Sequence, residues 1–444
     1  MSTAENLFAQ TSPALAATTF PAMRSVPVRR HRGWPETLAL GGYMAILASA
    51  LAAGGAVNPL ASAGLSLIAF ALLALLALCS TGRFEPAQGP TRQITVLMGA
   101  VAIFPFAQAA ASLLDAPALA SMTPRESLLD GVRGMGYLAL FIGLRHSLIG
   151  THMARRAAML LLGALGTIAT AALLFYDPEL RPLSHPGLTG PLENRSAFAA
   201  LMGTGLCLAL AFATQPAHPR AHRPVFILFR TTCILAGAVL FVAILQTQSR
   251  LGLASALLAC ATILALRMPR HVLRWAGLGF LFLVIVLLYA EPAVLDRFTT
   301  LPSDFENRAA FYRQVAQMIA QAPFLGHGAG SFALAFEHIQ RPPVSAALVW
   351  DYAHSTVLSM SAELGLPMAL SATGAVILAG AALARRFRKN GDATALAACA
   401  ALVLAVPHWL ADFSYEIPAL AYFLIALTAL GLGPKSPPRK EETP

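Results

Sequence analysis

Apolar runs of about eighteen or more residues recur along the whole chain, and no other feature narrows the fold so far. A run of that length crosses the hydrocarbon core of a bilayer as a helix. Each crossing segment must satisfy its own backbone hydrogen bonds, so the spans have to be helical. Composition agrees. Of 444 residues, 57% are hydrophobic and only 12% are charged, about half the charge of an ordinary soluble protein. The chain reads as an all-α polytopic membrane protein.

Twelve transmembrane helices are expected, at roughly 37–56, 58–80, 94–114, 128–148, 158–176, 197–214, 224–245, 251–266, 275–290, 363–384, 393–407 and 415–432. With the N-terminus inside, 21 of the 31 Lys and Arg residues fall in inner segments and 8 in outer ones. Arg133 and Arg230 lie within spans. That bias places both termini in the cytoplasm. It also explains the net charge of +10 as topology signals in short loops, so no nucleic-acid partner is expected. Residues 1–36 form a cytoplasmic tail without a cleavable signal peptide, and 433–444 form a second tail. Spans one to nine occupy 37–290, and spans ten to twelve occupy 353–432. The cysteines Cys79, Cys207, Cys233, Cys260 and Cys399 all sit in apolar segments without Cys-x-x-Cys spacing. Neither a disulfide framework nor a metal site is expected, and no cofactor.

Residues 291–352 break the pattern of short connections. A loop of this length between spans usually carries function, and this one holds most of the outer charge. Ser303-Asp304-Phe305-Glu306 has the form of a capping box, so a helix is expected from about Ser303. Phe311, Val315, Met318 and Ile319 then give it one apolar face. Pro323 and the run Gly326-His327-Gly328-Ala329-Gly330 end it. Arg308 and Tyr312 share a face beside the apolar stripe.

Several residues here can carry chemistry. Arg250 closes the polar run Gln246–Arg250 at the outer start of a span, directly after Ser249. Helix N-termini and Arg both favour anions, and a guanidinium matches phosphate oxygens in pairs. An interfacial arginine reaching for lipid head groups fits the spacing equally well. For Arg308, pattern alone favours a solvated helix face. His354 stands where the loop runs into a helix, with Asp351 three residues earlier to orient it. A histidine titrates near neutral pH and can accept a hydroxyl proton, though an interfacial histidine is the commoner case. Asn194 and Arg195 precede the sixth span on the outer side and can line the same cavity. The Gly326–Gly330 run is a poor phosphate-loop signal. Glu363, nine residues past His354, points to the opposite side of a straight helix and suits polar bonding inside the protein. His408 and Asp412 lie in the last outer turn.

The order of these pieces resembles one family. Ser249-Arg250 after a span, an outer loop with Arg308, then Pro323-Phe324-Leu325-Gly326-His327-Gly328, His354 and Glu363-Leu364-Gly365 are similar to the O-antigen ligase and Wzy-type polymerase superfamily. The resemblance spans about residues 185–375. It implies a GT-C-type glycosyltransferase bundle with a large periplasmic loop, in the bacterial inner membrane. The implied donor is an undecaprenyl-diphosphate-linked glycan, used without a metal. Arg250 and Arg308 would clamp the diphosphate, and His354 would act as base or orient the acceptor. Tyr312, Asp351, Asn194 and Arg195 are the further substrate-binding candidates. The implied acceptor is lipid A-core for a ligase and a growing polysaccharide for a polymerase. A branch that glycosylates protein Ser or Thr comes third. A polyprenyl-linked sugar flippase is the alternative from another class. The absence of an internal repeat argues against it.

Overall fold

The computed structural model describes residues 34–79, 87–114, 116, 119–148, 151–176, 187–217, 222–268, 301–345 and 349–433. Among them every regular element is a helix. They are α1 (Trp34–Ala52), α2 (Pro59–Cys79), α3 (Pro90–Leu113), α4 (Pro124–Ser147), α5 (Thr151–Leu174), α6 (Arg195–Ala213), α7 (Arg223–Gln246), α8 (Arg250–Arg267), α9 (Leu301–Gln321), α10 (Phe332–Glu337), α11 (Thr356–Leu364), α12 (Leu366–Asn390), α13 (Ala393–Ala411) and α14 (Pro418–Leu432), with three short 3-10 turns between them.

Ten of these helices are long and apolar enough to cross a membrane: α1 to α8, α12 and α13. They account for ten of the twelve expected spans. The expected span at 275–290 lies outside the described residues. The one at 415–432 is the 15-residue helix α14, about 22 Å long, against a hydrocarbon core of about 30 Å. The expected tenth span begins three residues late. Gly365, at φ 80°, separates the short α11 from the spanning α12.

Local sequence sets the helix ends. Asn194 caps α6 by accepting the amide of Ala197, and Ser249 caps α8 by accepting that of Gly252. Asp392 caps α13 through the amides of Thr394 and Ala395. Each cap satisfies donors that the first helical turn leaves open.

The bundle is built around α6 and α13. The apolar stretch of α6 is 89% buried and that of α13 is 72% buried, whereas that of α7 is only 17% buried. Small residues permit the close approach, as expected where lipid gives no hydrophobic drive between helices. A Cβ on Gly252 would lie 2.3 Å from Cβ of Ala199, so α8 packs directly on α6. All five cysteines are free.

The long loop has a core of its own. Phe311, Val315 and Met318 of α9 are buried with Phe332, Phe336, Ala353 and Ala362. The expected apolar face is therefore real. The helix itself starts at Leu301, two residues before Ser303, and the side chains of the expected capping box lie outside those described.

Candidate functional site

His354 sits at the junction of loop and bundle. Three aromatic rings surround it: Phe413 at 5.4 Å, Trp350 at 5.7 Å and Phe311 at 6.0 Å between centroids, all steeply inclined. Its backbone is left-handed, with φ 50°. That region is costly for a residue with a Cβ and persists only when neighbours enforce it. Here Tyr312 donates its hydroxyl to the His354 carbonyl at 3.1 Å. The Ala353 amide donates to Ser359 Oγ at 3.1 Å. Ser355 caps α11 by accepting the Leu358 amide and donates to the Trp409 carbonyl at 3.2 Å.

Burial lowers the His354 pKa, and the Arg308 charge lowers it further, while Asp412 pulls the other way. The imidazole is thus neutral at neutral pH, the form that accepts a proton. Burial raises the Tyr312 hydroxyl, with Arg308 opposing. Arg308, Tyr312 and His354 therefore form one neighbourhood. Asp351 does not join it as expected. It is exposed and makes no hydrogen bond to His354. The loop folds back so that Asp412, from beyond the end of α13, faces the imidazole instead.

Asn194, Arg195 and Arg250 form a second neighbourhood. Helices α6 and α8 begin side by side, joined by a hydroxyl contact of 3.1 Å between Ser196 and Ser249. Each has Arg as its first residue after the capping side chain. The Leu188 amide bonds to the Gln246 carbonyl at 2.9 Å and ties the preceding segment to the same turn. Two helix N-termini, each opening with an arginine, then lie side by side, and helix N-termini favour anions.

Helix α13 links the two neighbourhoods. Buried His408 bonds Ser255 of α8 at 3.1 Å through Nε2 and Asp412 at 3.3 Å through Nδ1. Ser414 donates to the Asp412 carboxylate at 2.6 Å, and the Phe413 amide does so at 2.7 Å. Burial alone would raise the Asp412 pKa, but these bonds outweigh it and hold it below the usual carboxylate value. Asp412 is thus an ionised carboxylate that faces the imidazole and is tied through His408 to Ser255 of α8.

The glycine run is a crossing of two chain segments. A Cβ on Gly326 would lie 2.2 Å from the Glu363 carbonyl oxygen, and one on Gly365 2.3 Å from that of Phe324. Each glycine makes room for the other strand of the crossing. The amides of His327 and Gly328 bond the carbonyls of Ala362 and Glu363, both at 2.9 Å. The Glu363 carboxylate accepts the Phe332 amide at 3.1 Å, so this residue serves polar bonding, as expected. Burial and nearby Asp130 push its pKa up to about 8. From α3, Gln108 donates to the carbonyls of Leu325 and Glu363 and accepts the amide of Ala329.

Sequence reasoning missed Gln108, Ser255, Trp350, Ser359 and Phe413. Each acts across more than one element, and no local spacing marks any of them. Among the described residues, no group of three or more His, Cys, Asp or Glu is placed to hold a metal ion.

Residues 235–373 match the family model for O-antigen ligases. The match runs from within α7 into α12. It includes Arg250, Arg308, Tyr312, Asp351, His354 and the Gly326–Gly365 crossing. Asn194, Arg195, His408 and Asp412 lie outside it. No curated protein matches the chain. The resemblance to the O-antigen ligase and Wzy-type superfamily stands on this match. It supports a function of ligase or polymerase type in a multi-pass membrane protein.

Proposed function

Starting from the O-antigen ligase match, we propose that the chain transfers a glycan from undecaprenyl diphosphate to a hydroxyl of lipid A-core. The observation that carries this reading is the imidazole of His354, set on a left-handed backbone, framed by aromatic rings and facing Arg308. Helix α13 joins that imidazole to the neighbourhood that holds Arg195 and Arg250. The charge bias of the loops supports an inner-membrane protein with both termini inside and this site on the periplasmic face.

The chemistry follows from the charges. An acceptor hydroxyl oxygen attacks the anomeric carbon, and the bond from that carbon to the diphosphate oxygen breaks. The diphosphate leaves with the electron pair. Arg250 and Arg308 stabilise the charge that grows on it. His354 takes the proton of the attacking hydroxyl. Asn194 and Arg195 line the path of the donor and acceptor. The transfer needs no nucleotide sugar, because the diphosphate linkage supplies the leaving group.

The test is complementation of a strain that lacks the gene. Arg250→Ala and His354→Ala should accumulate as folded protein and lose the lipid A-attached ladder on a lipopolysaccharide gel. Removing one charge-stabilising donor costs about 10²–10³ in rate. Full-length glycan should then accumulate on undecaprenyl diphosphate. A normal ladder together with lost secreted polymer and accumulated single repeat units would replace the ligase reading with a polymerase. Normal activity in either well-expressed variant refutes the assigned role.

A further inference from the structure

The base of the proposed reaction has an improbable backbone, and the structure shows what holds it. His354 is one of four non-glycine residues with positive φ among those described. Left to itself, a residue of this kind relaxes to the right-handed or extended region. Two side-chain hydroxyls act on the backbone here, one on the carbonyl of His354 itself and the other on the amide of the residue before it. Tyr312 of α9 donates to its carbonyl, and Ser359 of α11 accepts the Ala353 amide, each at 3.1 Å. They come from two elements: the first bonds the residue directly, and the second anchors the peptide one step upstream. The rings of Phe311, Trp350 and Phe413 then fix the imidazole edge-on.

We propose that Tyr312 and Ser359 are positioning residues, which clamp His354 in its left-handed conformation and so hold the imidazole where it meets the acceptor hydroxyl. This rests on the reading of His354 as the base. It also gives Tyr312 a task other than contact with substrate. Its hydroxyl hydrogen is committed to the His354 carbonyl. Loss of either hydroxyl leaves the aromatic frame and both diphosphate arginines in place. It lets the backbone relax, and only the fraction of molecules still in the left-handed form remains competent. One hydrogen bond of ordinary worth changes that fraction about 2- to 13-fold.

The experiment uses the full chain in proteoliposomes. The donor is lipid-linked glycan extracted from the host, and the acceptor is lipopolysaccharide lacking O-antigen. Tyr312→Phe and Ser359→Ala each lose a single oxygen. Each should lower kcat about 2- to 13-fold with KM for the donor unchanged, and Ser359→Thr, which keeps the oxygen, should restore kcat. A second readout does not depend on activity. Diethyl pyrocarbonate labelling of His354, followed by peptide mass spectrometry across pH, reports the titration of the imidazole in place. The charged and titratable groups that face it are Arg308 and Tyr312 of α9 and Asp412 beyond α13. In Tyr312→Phe and Ser359→Ala the labelling midpoint should move up toward the ordinary histidine value as the ring leaves its frame. Wild-type kcat and an unmoved midpoint in both variants would overturn the clamp while leaving the base in place. A raised donor KM with wild-type kcat in Tyr312→Phe would overturn it in favour of substrate contact. Full activity in His354→Ala would overturn the base, and the labelling midpoints would still decide whether the clamp exists.

Discussion

Replacing Gln108 by Leu tests how the glycine crossing is held to the bundle. Gln108 is fully buried, and leucine is close to it in size, so little space opens. What changes is the hydrogen bonding. Nε2 donates to the Leu325 carbonyl at 2.8 Å and the Glu363 carbonyl at 2.9 Å, and Oε1 accepts the Ala329 amide at 3.1 Å. The Glu363 carbonyl keeps the Gly328 amide at 2.9 Å. The variant therefore strands two backbone groups, the half-buried Leu325 carbonyl and the buried Ala329 amide. Each costs about 1–3 kcal/mol when left unmade, which gives about 2–6 kcal/mol together. The cost falls on the crossing rather than on the spans, because α3 keeps its own backbone ladder. Amide hydrogen exchange over residues 326–332 in nanodiscs is the assay. Each 1.4 kcal/mol is tenfold, so exchange should speed up by about 30-fold to 10⁴-fold while the spans stay protected. Exchange within about threefold of wild type would show that Gln108 is not what anchors the loop.

Other variants probe the same geometry. Gly326→Ala puts a methyl group 2.2 Å from the Glu363 carbonyl oxygen at φ 68°, with backbone on both sides and no flexible neighbour to yield. It should lose activity and expose the 323–332 segment to limited proteolysis, and wild-type behaviour would contradict the crossing. The pH dependence has a definite sign. Burial and Arg308 hold His354 below its ordinary value, so the acid limb of kcat should fall below about pH 6.5. Arg308→Gln removes a charge that lowers this pKa and should move the limb up. Asp412→Asn removes one that raises it and should move the limb down. A pH–rate profile of the three proteins checks both directions. The same depression costs stability in acid. As pH falls through about 6.5 the unfolded chain takes up the proton first, so thermal stability should drop there in wild type, and less so in His354→Gln.

Much of this protein was legible before any coordinates. Helical spans had to follow from long apolar runs, because a bilayer offers backbone groups no other partner. The apolar face of α9 was readable because side chains three or four residues apart meet on a helix. The order of Arg250, Arg308, the glycine run and His354 carried the family resemblance. What no spacing could give is contact between elements far apart in sequence. Tertiary packing decided that Asp412 rather than Asp351 faces His354, since the loop turns Asp351 outward while α13 ends beside the imidazole. It decided that Gly326 and Gly365 serve a backbone crossing rather than an anion, because only the folded chain brings the Phe324 and Glu363 carbonyls to within van der Waals reach of each other's glycine. It set His354 in a left-handed backbone as well, a conformation that local propensity opposes and that Tyr312, 42 residues away, helps to impose.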